Sequence, residues 1–523
     1  MSKENERREL FKALWKIANE ERGGSGSTPW DLKQYIFGTL FYRFISENLI
    51  HYINLQFELN YTDISDEDAE IQKQAIVEEK GFFIYPTQLF CNVIKKINNQ
   101  NFKDKLNEEI PKIFNSIEQT CIGTKSENDF AGLWSEFDFN NIKLGQTIMA
   151  RNSEIAKLFS SVNNLPLGNF QNNTIDLFGD AYEYLMNMYA GSIGKTGGDF
   201  FTPQEVAELL AKITLVDKNS VNKVYDPCCG SGGLLLKFAK IIGVENVKKG
   251  FYGQEKDLTV YNLCRMNMFL HNINYEKFNI VHDNTLLKPS QSHKDEQPFE
   301  VIVSNPPYSV HWDGDSDPIL INDERFSAAG VLAPKSKADL AFVMHCLSWL
   351  STNGTAAIVE FPGVLYRGGA EQKIRKYLVD NNFIECIIQL PSNLFFGTSI
   401  STCIIILKKS KKEAKTLFID ASNEFRSETN SNKLTTENIE RILKWYKNKE
   451  NVEHICTYVD NAKIEENDYN LSVNTYVSKQ DIRETIDIDE LNKEIDLTVK
   501  KITMLRNDIN EIIKTEIKPE LKN

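Results

Sequence analysis

Apolar residues first recur at helical spacing as Leu10, Leu14 and Trp15, followed by Ile17 and Ala18. Gly23-Gly24-Ser25-Gly26-Ser27 interrupts that pattern. Thr28-Pro29 reopens it, with a capping hydroxyl ahead of a proline at the first helical position. From 31 to 49 the face carrying Tyr35, Ile36, Leu40, Phe41, Phe44 and Ile45 is broad enough to be buried. Residues 1 to 165 therefore read as mostly helical, with no catalytic constellation: a helical interaction or clamp region.

Beyond residue 174 the pattern changes to short apolar runs alternating with helical stretches. Strands are predicted at 221–225, 250–254, 279–281, 301–304 and 355–360, and helices at 234–242, 258–271 and 338–350. This alternation predicts an α/β fold with a doubly wound parallel sheet. The runs 384–390 and 403–407, joined through Phe396-Gly397-Thr398, read as an antiparallel pair that closes the sheet near Lys409. The residues beyond it read as helix and turn. At the end of the chain Leu491, Ile495, Thr498, Ile502, Leu505, Ile509 and Ile512 step by fours and threes, the a/d seam of a coiled coil. Such a helix packs on its own domain or docks another subunit, and the pattern leaves both open.

With 523 residues the chain is long enough for two or three domains, and 41% hydrophobic with 25% charged residues is ordinary for a globular protein. The charged start, Met1 to Arg8, is no signal peptide, and no apolar run reaches the ~20 residues that span a bilayer. A cytoplasmic protein with no membrane contact is expected. Nine scattered cysteines without metal-ligand spacing read as reduced thiols. The net charge of −13 runs against a protein that grips DNA alone, because phosphate neutralisation needs a basic surplus. Either a partner supplies much of the grip or the substrate is not DNA.

The chemistry concentrates at Asn305-Pro306-Pro307-Tyr308, directly after a predicted strand. The two prolines stiffen the backbone and leave carbonyls free to accept. An exocyclic amine such as adenine N6 is a poor nucleophile because its lone pair is spread into the ring. Accepting its two hydrogens on the Asn305 amide oxygen and the Pro306 carbonyl localises that pair, and Tyr308 would stack on the base. These residues fit amino-group methylation of a planar substrate, by direct transfer and without a metal.

Upstream, Asp226-Pro227-Cys228-Cys229-Gly230-Ser231-Gly232-Gly233 follows the first strand and opens a helix. Glycines let a ligand approach the backbone, and the helix start offers N–H groups. Leu235 stands where GxGxxG would place its third glycine, which weakens a nicotinamide-dependent oxidoreductase reading. Glu255, at the end of the next strand, suits a ribose diol. Asp283-Asn284, after the third strand, suits an adenine ring, with an ordinary turn as the alternative. Gly198-Asp199-Phe200-Phe201-Thr202-Pro203 precedes the sheet; by itself it reads as a loop before a helix, with Thr202 as cap. Pro227-Cys228 superficially matches the nucleophile of cytosine-C5 methyltransferases, yet it lies in a glycine turn and amine methylation needs no thiol.

Taken together, these motifs resemble the modification (methyltransferase) subunit of type I restriction-modification systems, a family of adenine-N6 DNA methyltransferases. Their order matches, and so do Asn128-Asp129-Phe130, Lys335-Ser336-Lys337-Ala338-Asp339, Asp468-Tyr469-Asn470-Leu471 and the helical N-terminal region. The likeness spans nearly the whole chain. It implies an S-adenosylmethionine site at Gly198 to Pro203, Ser231-Gly232-Gly233 and Glu255, and a catalytic tetrad at Asn305 to Tyr308. It also implies three parts: a helical clamp and subunit-contact domain (1–165), a catalytic domain (166–475) and a docking tail (476–523). The implied partners are DNA, a specificity subunit, a second modification chain and a restriction (translocase) subunit. Cys228-Cys229 departs from the family, which often carries smaller or hydroxyl residues there. Similar tetrads occur in glutamine-N5 protein and guanine-N2 RNA methyltransferases; the helical N-terminal region and the Phe-Phe-Thr-Pro stretch favour DNA. A non-catalytic assembly subunit is the reading of another class, and the intact tetrad opposes it.

Overall fold

β-Branched or aromatic residues occur in each of the runs Val221–Asp226 (β1), Val247–Glu255 (β2), Phe278–His282 (β3), Phe299–Ser304 (β4) and Leu350–Glu360 (β5). In the computed structural model these strands pair in parallel, with Val224 opposite both Phe251 and Val301. Cys403–Leu407 (β7) runs antiparallel between β5 and Ile384–Gln389 (β6), as the sequence suggests. The structure describes residues 3–20, 29–167, 177–193, 202–314, 317–395, 398–429, 431–478 and 488–517. The glycine-serine break at 23–27 and the Phe396-Gly397 junction lie outside them.

The sheet does not close near Lys409. Lys415–Asp420 (β8) pairs in parallel with β6; after a two-residue ribbon, Arg426–Ser427 (β9) with Asn432–Lys433 (β10), Cys456–Asp460 (β11) pairs antiparallel with β8. The nine-stranded order is β11-β8-β6-β7-β5-β4-β1-β2-β3. β8 sits directly behind a lysine run and β11 is a half-exposed edge, so neither stands out from polar surface in the sequence.

Each face of the sheet has its own core. Val224, Val301, Val359 and Ile404 pack on one side with the helices of residues 10–270, while Tyr225, Ile302, Ile358 and Phe418 face the buried helix Asp339–Trp349 on the other. The helix Pro29–Phe57 is buried along Tyr35 to Leu49 almost all round. Its Arg43 donates to the carbonyls of Val162 (2.7 Å) and Asn163 (3.1 Å), closing the end of Ile148–Asn163. Leu10 and Leu14 are buried in Lys3–Glu20, whereas Trp15 is 58% exposed and leaves the expected face.

Arg265, on the helix Leu258–Leu270, ties this helical layer to the sheet. Its guanidinium donates to the carbonyls of Asn128 (2.8 Å) and Ala131 (3.0 Å) and to Asn262 Oδ1 (2.5 Å), and stacks 4.2 Å from the Tyr261 ring. Arg265→Ala strands buried acceptors, and its expected cost is about 3–5 kcal/mol. Urea unfolding checks this. Arg265→Lys should recover little, since one ammonium does not reproduce the fork; full recovery by lysine would contradict the assignment.

Residues 1–477 form one compact unit and 478–523 a second. In the second, the 25-residue helix Ile488–Ile512 keeps Leu491, Ile495, Ile502, Leu505, Ile509 and Ile512 exposed. No helix among the described residues is long and apolar enough to cross a membrane.

Candidate active site

β1 lies between β2 and β4, so the chain builds outward to β3 and then returns on the other side of β1. That reversal opens a crevice beyond the carboxyl ends of β1 and β4, the usual ligand site of an open α/β sheet. The glycine turn and the tetrad both begin there.

The turn is held from several directions. Cys228 N–H donates to Asp226 Oδ1 (3.0 Å), Cys229 N–H to the Gln254 carbonyl (3.1 Å), and Gly230 N–H to Glu255 Oε2 (3.0 Å). Thr285 Oγ1 donates to the Pro227 carbonyl (2.5 Å), and Asn267 Nδ2 to the Ser231 carbonyl (2.8 Å). Gly232 has φ +82°, and a Cβ there would meet Cys264 Sγ at 2.9 Å, so glycine is required on both counts. The helix Gly233–Ile242 begins without a side-chain cap, which leaves its first N–H groups to a ligand.

Glu255 ends β2 partly exposed, accepting from Gly230 with Oε2 and from Asp257 N–H with Oε1 (2.8 Å). Burial raises its pKa, opposed by the N–H groups of Asp257 and Gly230. Each oxygen keeps a second lone pair. Asp283 N–H donates to the Glu255 carbonyl (3.0 Å), so the loop after β3 sits beside it. Asn284 Oδ1 accepts from Leu286 N–H (3.1 Å); this is the ordinary turn, and it still brings Asp283 and Asn284 next to Glu255.

Asp226 is fully buried, and desolvation pushes its carboxyl up to about 7. An unfolded aspartate titrates near ~4. Between those values the folded chain holds a proton that the unfolded chain has lost, so stability falls as pH rises from about 4 to 7. The slope from one such group reaches at most about 1.4 kcal/mol per pH unit. Asp226→Asn should flatten the fall in Tm between pH 4.5 and 7.5; an unchanged profile would remove Asp226 as its source. Burial likewise raises the Cys228 and Cys229 thiols well above their usual range, which argues against a thiolate nucleophile here.

At the end of β4, Asn305 is 7% exposed and its Oδ1 accepts from the Tyr308 hydroxyl at 2.6 Å. The amide oxygen thus faces the Tyr308 hydroxyl. The tetrad loop is clamped from behind by the segment 335–339. Ser309 N–H donates to Asp339 Oδ1 (3.0 Å), Ala338 N–H to the Val310 carbonyl (3.0 Å), and Trp312 N–H to the Lys335 carbonyl (3.1 Å). Glu360, ending β5, is fully buried with its pKa raised well above normal by desolvation.

Sequence reasoning missed two aromatics. Phe361 and Phe395 stand 6.4 and 6.5 Å from the Tyr308 ring, and the latter is buried. Phe361 directly follows β5, the one local signal it carries, whereas Phe395 lies six residues beyond the end of β6. The segment after Phe361 is pinned by 468–471: Leu471 N–H donates to the Leu365 carbonyl (2.8 Å), and Arg375 bridges the carbonyls of Tyr469 and Val364. Gly198, Asp199, Phe200 and Phe201 lie outside the described residues. Thr202 is not the cap expected of it: Pro203 takes the N-cap position of Gln204–Thr214, its carbonyl accepting from Ala207 N–H.

Residues 173–485 match a family model described as N-6 DNA Methylase, and 10–162 one described as HsdM N-terminal domain. The type I restriction enzyme MpnII methylase subunit of Mycoplasma pneumoniae is 46% identical, over 99% of this chain and 98% of that protein. The MjaVIII methylase subunit of Methanocaldococcus jannaschii is 30% identical, over 90% of this chain and 80% of that one. A crystal structure of the type I restriction-modification methyltransferase subunit from Streptococcus thermophilus superposes with a TM-score of 0.81 at 32% identity, covering 90% of this chain and 100% of that one. By these matches the chain belongs to the N-6 DNA methylases, among the methylase subunits of type I restriction enzymes, and is an adenine-specific DNA methyltransferase.

Proposed function

We propose that the chain methylates N6 of a flipped-out adenine with S-adenosylmethionine, inside a complex whose sequence specificity resides in another subunit. The observation that carries this reading is the junction at the carboxyl ends of β1, β2 and β4: glycine turn, acidic residue and Asn-Pro-Pro-Tyr tetrad opening on one crevice.

The residues present suit the cofactor. The uncapped start of Gly233–Ile242, with Asp226, Gly230, Ser231, Gly232 and Gly233 before it, fits the polar amino-acid end. Glu255 offers its remaining lone pairs to the ribose diol, and Asp283 and Asn284 border the adenine. Gly198 to Pro203 complete this proposed set. S-adenosylmethionine, when bound, supplies a methyl group on a sulfonium.

Asn305, Pro306, Pro307 and Tyr308 are the proposed catalytic group. Flipping the base costs a few kcal/mol, about what stacking and the two hydrogen bonds return. Asn305 Oδ1 and the Pro306 carbonyl accept the N6 hydrogens, which localises the nitrogen lone pair and places two fixed acceptors beside its developing positive charge. Tyr308 locks the amide with Oδ1 toward the amine, and its ring faces the base together with Phe361 or Phe395.

DNA, a specificity subunit, a second copy of this chain and a restriction subunit are the proposed partners, acting in the cytoplasm where the DNA lies. We assign residues 1–165 to clamping DNA and contacting subunits, 166–475 to catalysis and 476–523 to docking. The exposed apolar seam of Ile488–Ile512 supports the last assignment. Deleting the chain after Val477 should preserve cofactor binding and abolish co-purification with the specificity subunit. A truncated chain that still co-purifies would place docking elsewhere.

The test of the reaction is incubation of the native complex with unmethylated DNA and labelled S-adenosylmethionine, followed by nucleoside mass spectrometry. N6-methyladenine formed with partners and absent with the isolated chain is the expected result. Label confined to protein or RNA would reject it.

A further inference from the structure

In a chain of net charge −13, residues 408–415 are out of pattern: five of the eight are lysines. They connect β7 to β8. Because β7 runs antiparallel to β5 and β6, this connection lies at the edge where β5, β6 and β8 begin. The tetrad and the glycine turn occupy the opposite edge. Nothing in the methylation chemistry uses this lysine run.

The run borders a cavity of about 690 Å³. Lys218 enters it from the stretch before β1, Lys408, Lys411 and Lys412 from the lysine run, and Lys449 from the end of the helix Thr436–Asn448. Five lysines from three separated segments thus line it, together with Glu385 and Glu413. Glu385 is nearly buried and shared by Lys449 (2.5 Å) and Lys408 (3.5 Å). Lys218 pairs with Glu300 at 2.9 Å. Five lysines against Glu300, Glu385 and Glu413 leave a surplus of two positive charges on this cluster.

Lys411 is built into place. Its Nζ donates to the carbonyls of Ile384 (2.5 Å) and Lys415 (2.6 Å), which spends two of its three hydrogens and holds the ammonium at the cavity. Burial pushes it down to about 8, so an anion beside it would restore its full charge. Lys412, next to it, is exposed. Among the described residues no arginine lines the cavity, so no planar fork selects a carboxylate. The one aromatic among them that lines it, Tyr458, has Lys415 over one face of its ring at 5.5 Å. Clustered point charges around a concavity suit the dense charge of phosphate.

We propose that this lysine-lined cavity, on the sheet edge opposite the methylation crevice, is a second anion site that binds phosphate groups. The phosphates come from the backbone of duplex DNA passing over that edge or from a free nucleoside triphosphate.

The experiment uses the full-length chain with its partner subunits, its Lys412→Glu and Lys412→Arg variants, and inorganic tripolyphosphate as calorimetric probe. In parallel, binding of a duplex without a recognition site is followed across salt concentrations. Tripolyphosphate should bind the wild type and the arginine variant alike and bind Lys412→Glu about tenfold more weakly. Since Lys412 is exposed, Tm should not move. If DNA is the source, Lys412→Glu leaves one backbone phosphate without its counter-charge, and the salt slope of duplex binding falls by about one. An unchanged slope with weakened tripolyphosphate binding assigns the site to a free triphosphate. Equal tripolyphosphate affinity in all three proteins, or no binding to the wild type together with an unchanged duplex slope, overturns the proposal.

Discussion

Asn305→Ala should lower the rate of methyl transfer by about 10³-fold and leave S-adenosylmethionine affinity within about twofold. Asn305 sits at the end of β4, 7% exposed, and its Oδ1 is oriented by the Tyr308 hydroxyl at 2.6 Å. Alanine removes one of the two acceptors proposed for the amine hydrogens, together with the oxygen that takes the Tyr308 hydroxyl. The turn proposed to face the cofactor hangs on Gln254, Glu255, Thr285 and Asn267, none of which is bonded to the amide oxygen. Single-turnover kinetics with the assembled complex gives the rate, and calorimetry gives the affinity. If both collapse together, Asn305 is a structural residue and the transfer mechanism needs another acceptor. Tyr308→Phe separates the two roles of the tyrosine: it keeps the ring and loses the lock on the amide, so the rate should fall far less than in Asn305→Ala.

Glu255→Ala has the second largest expected effect, on affinity rather than rate. Both carboxylate oxygens accept backbone N–H groups, from Gly230 in the turn and Asp257 at the start of the next helix. Alanine therefore removes the acceptor proposed for the ribose and also releases the turn. Hydrogen bonds to a charged group are worth about 1.5–3 kcal/mol each, so a loss of about 10²-fold in S-adenosylmethionine affinity is expected. At saturating cofactor the transfer rate should stay within a few-fold, because the amine acceptors lie on β4. Glu255→Gln keeps one acceptor oxygen and the shape, and should fall between. Unchanged affinity in Glu255→Ala would eliminate the ribose role.

The two assignments differ in how far local sequence carries them. The glycine turn and tetrad are legible because turn chemistry is local. Glycine at a φ of +82° and two consecutive prolines each constrain the backbone whatever packs nearby. The strands before them are legible because each carries a tight apolar group, Val224-Tyr225 and Val301-Ile302-Val303, directly ahead of its turn residues. Their alternation with helices gives the parallel sheet, and the right-handed crossover rule leaves few ways to arrange it.

Other features depend on residues far apart in the chain. The Tyr308 hydroxyl could have met solvent or a base; the packing of Phe361 and Phe395, 53 and 87 positions on, sets the wall beside its ring. Asp339 supports the tetrad across 30 residues, and Arg265 reaches Asn128 across 137. Polar contacts of this kind have no periodicity and leave no pattern in the chain.

The sequence by itself determined the α/β class, the helical N-terminal region and the order of the motifs, because each follows from short-range backbone preferences and side-chain alternation. Only the tertiary structure decided that the sheet continues through β8 and β11, since a strand behind a lysine run and a half-exposed edge strand are stabilised by pairing with distant neighbours more than by their own residues. It alone also decided that the lysine run meets Lys218 and Lys449 around one cavity, because bringing charges together from remote segments depends on where the strands end in space.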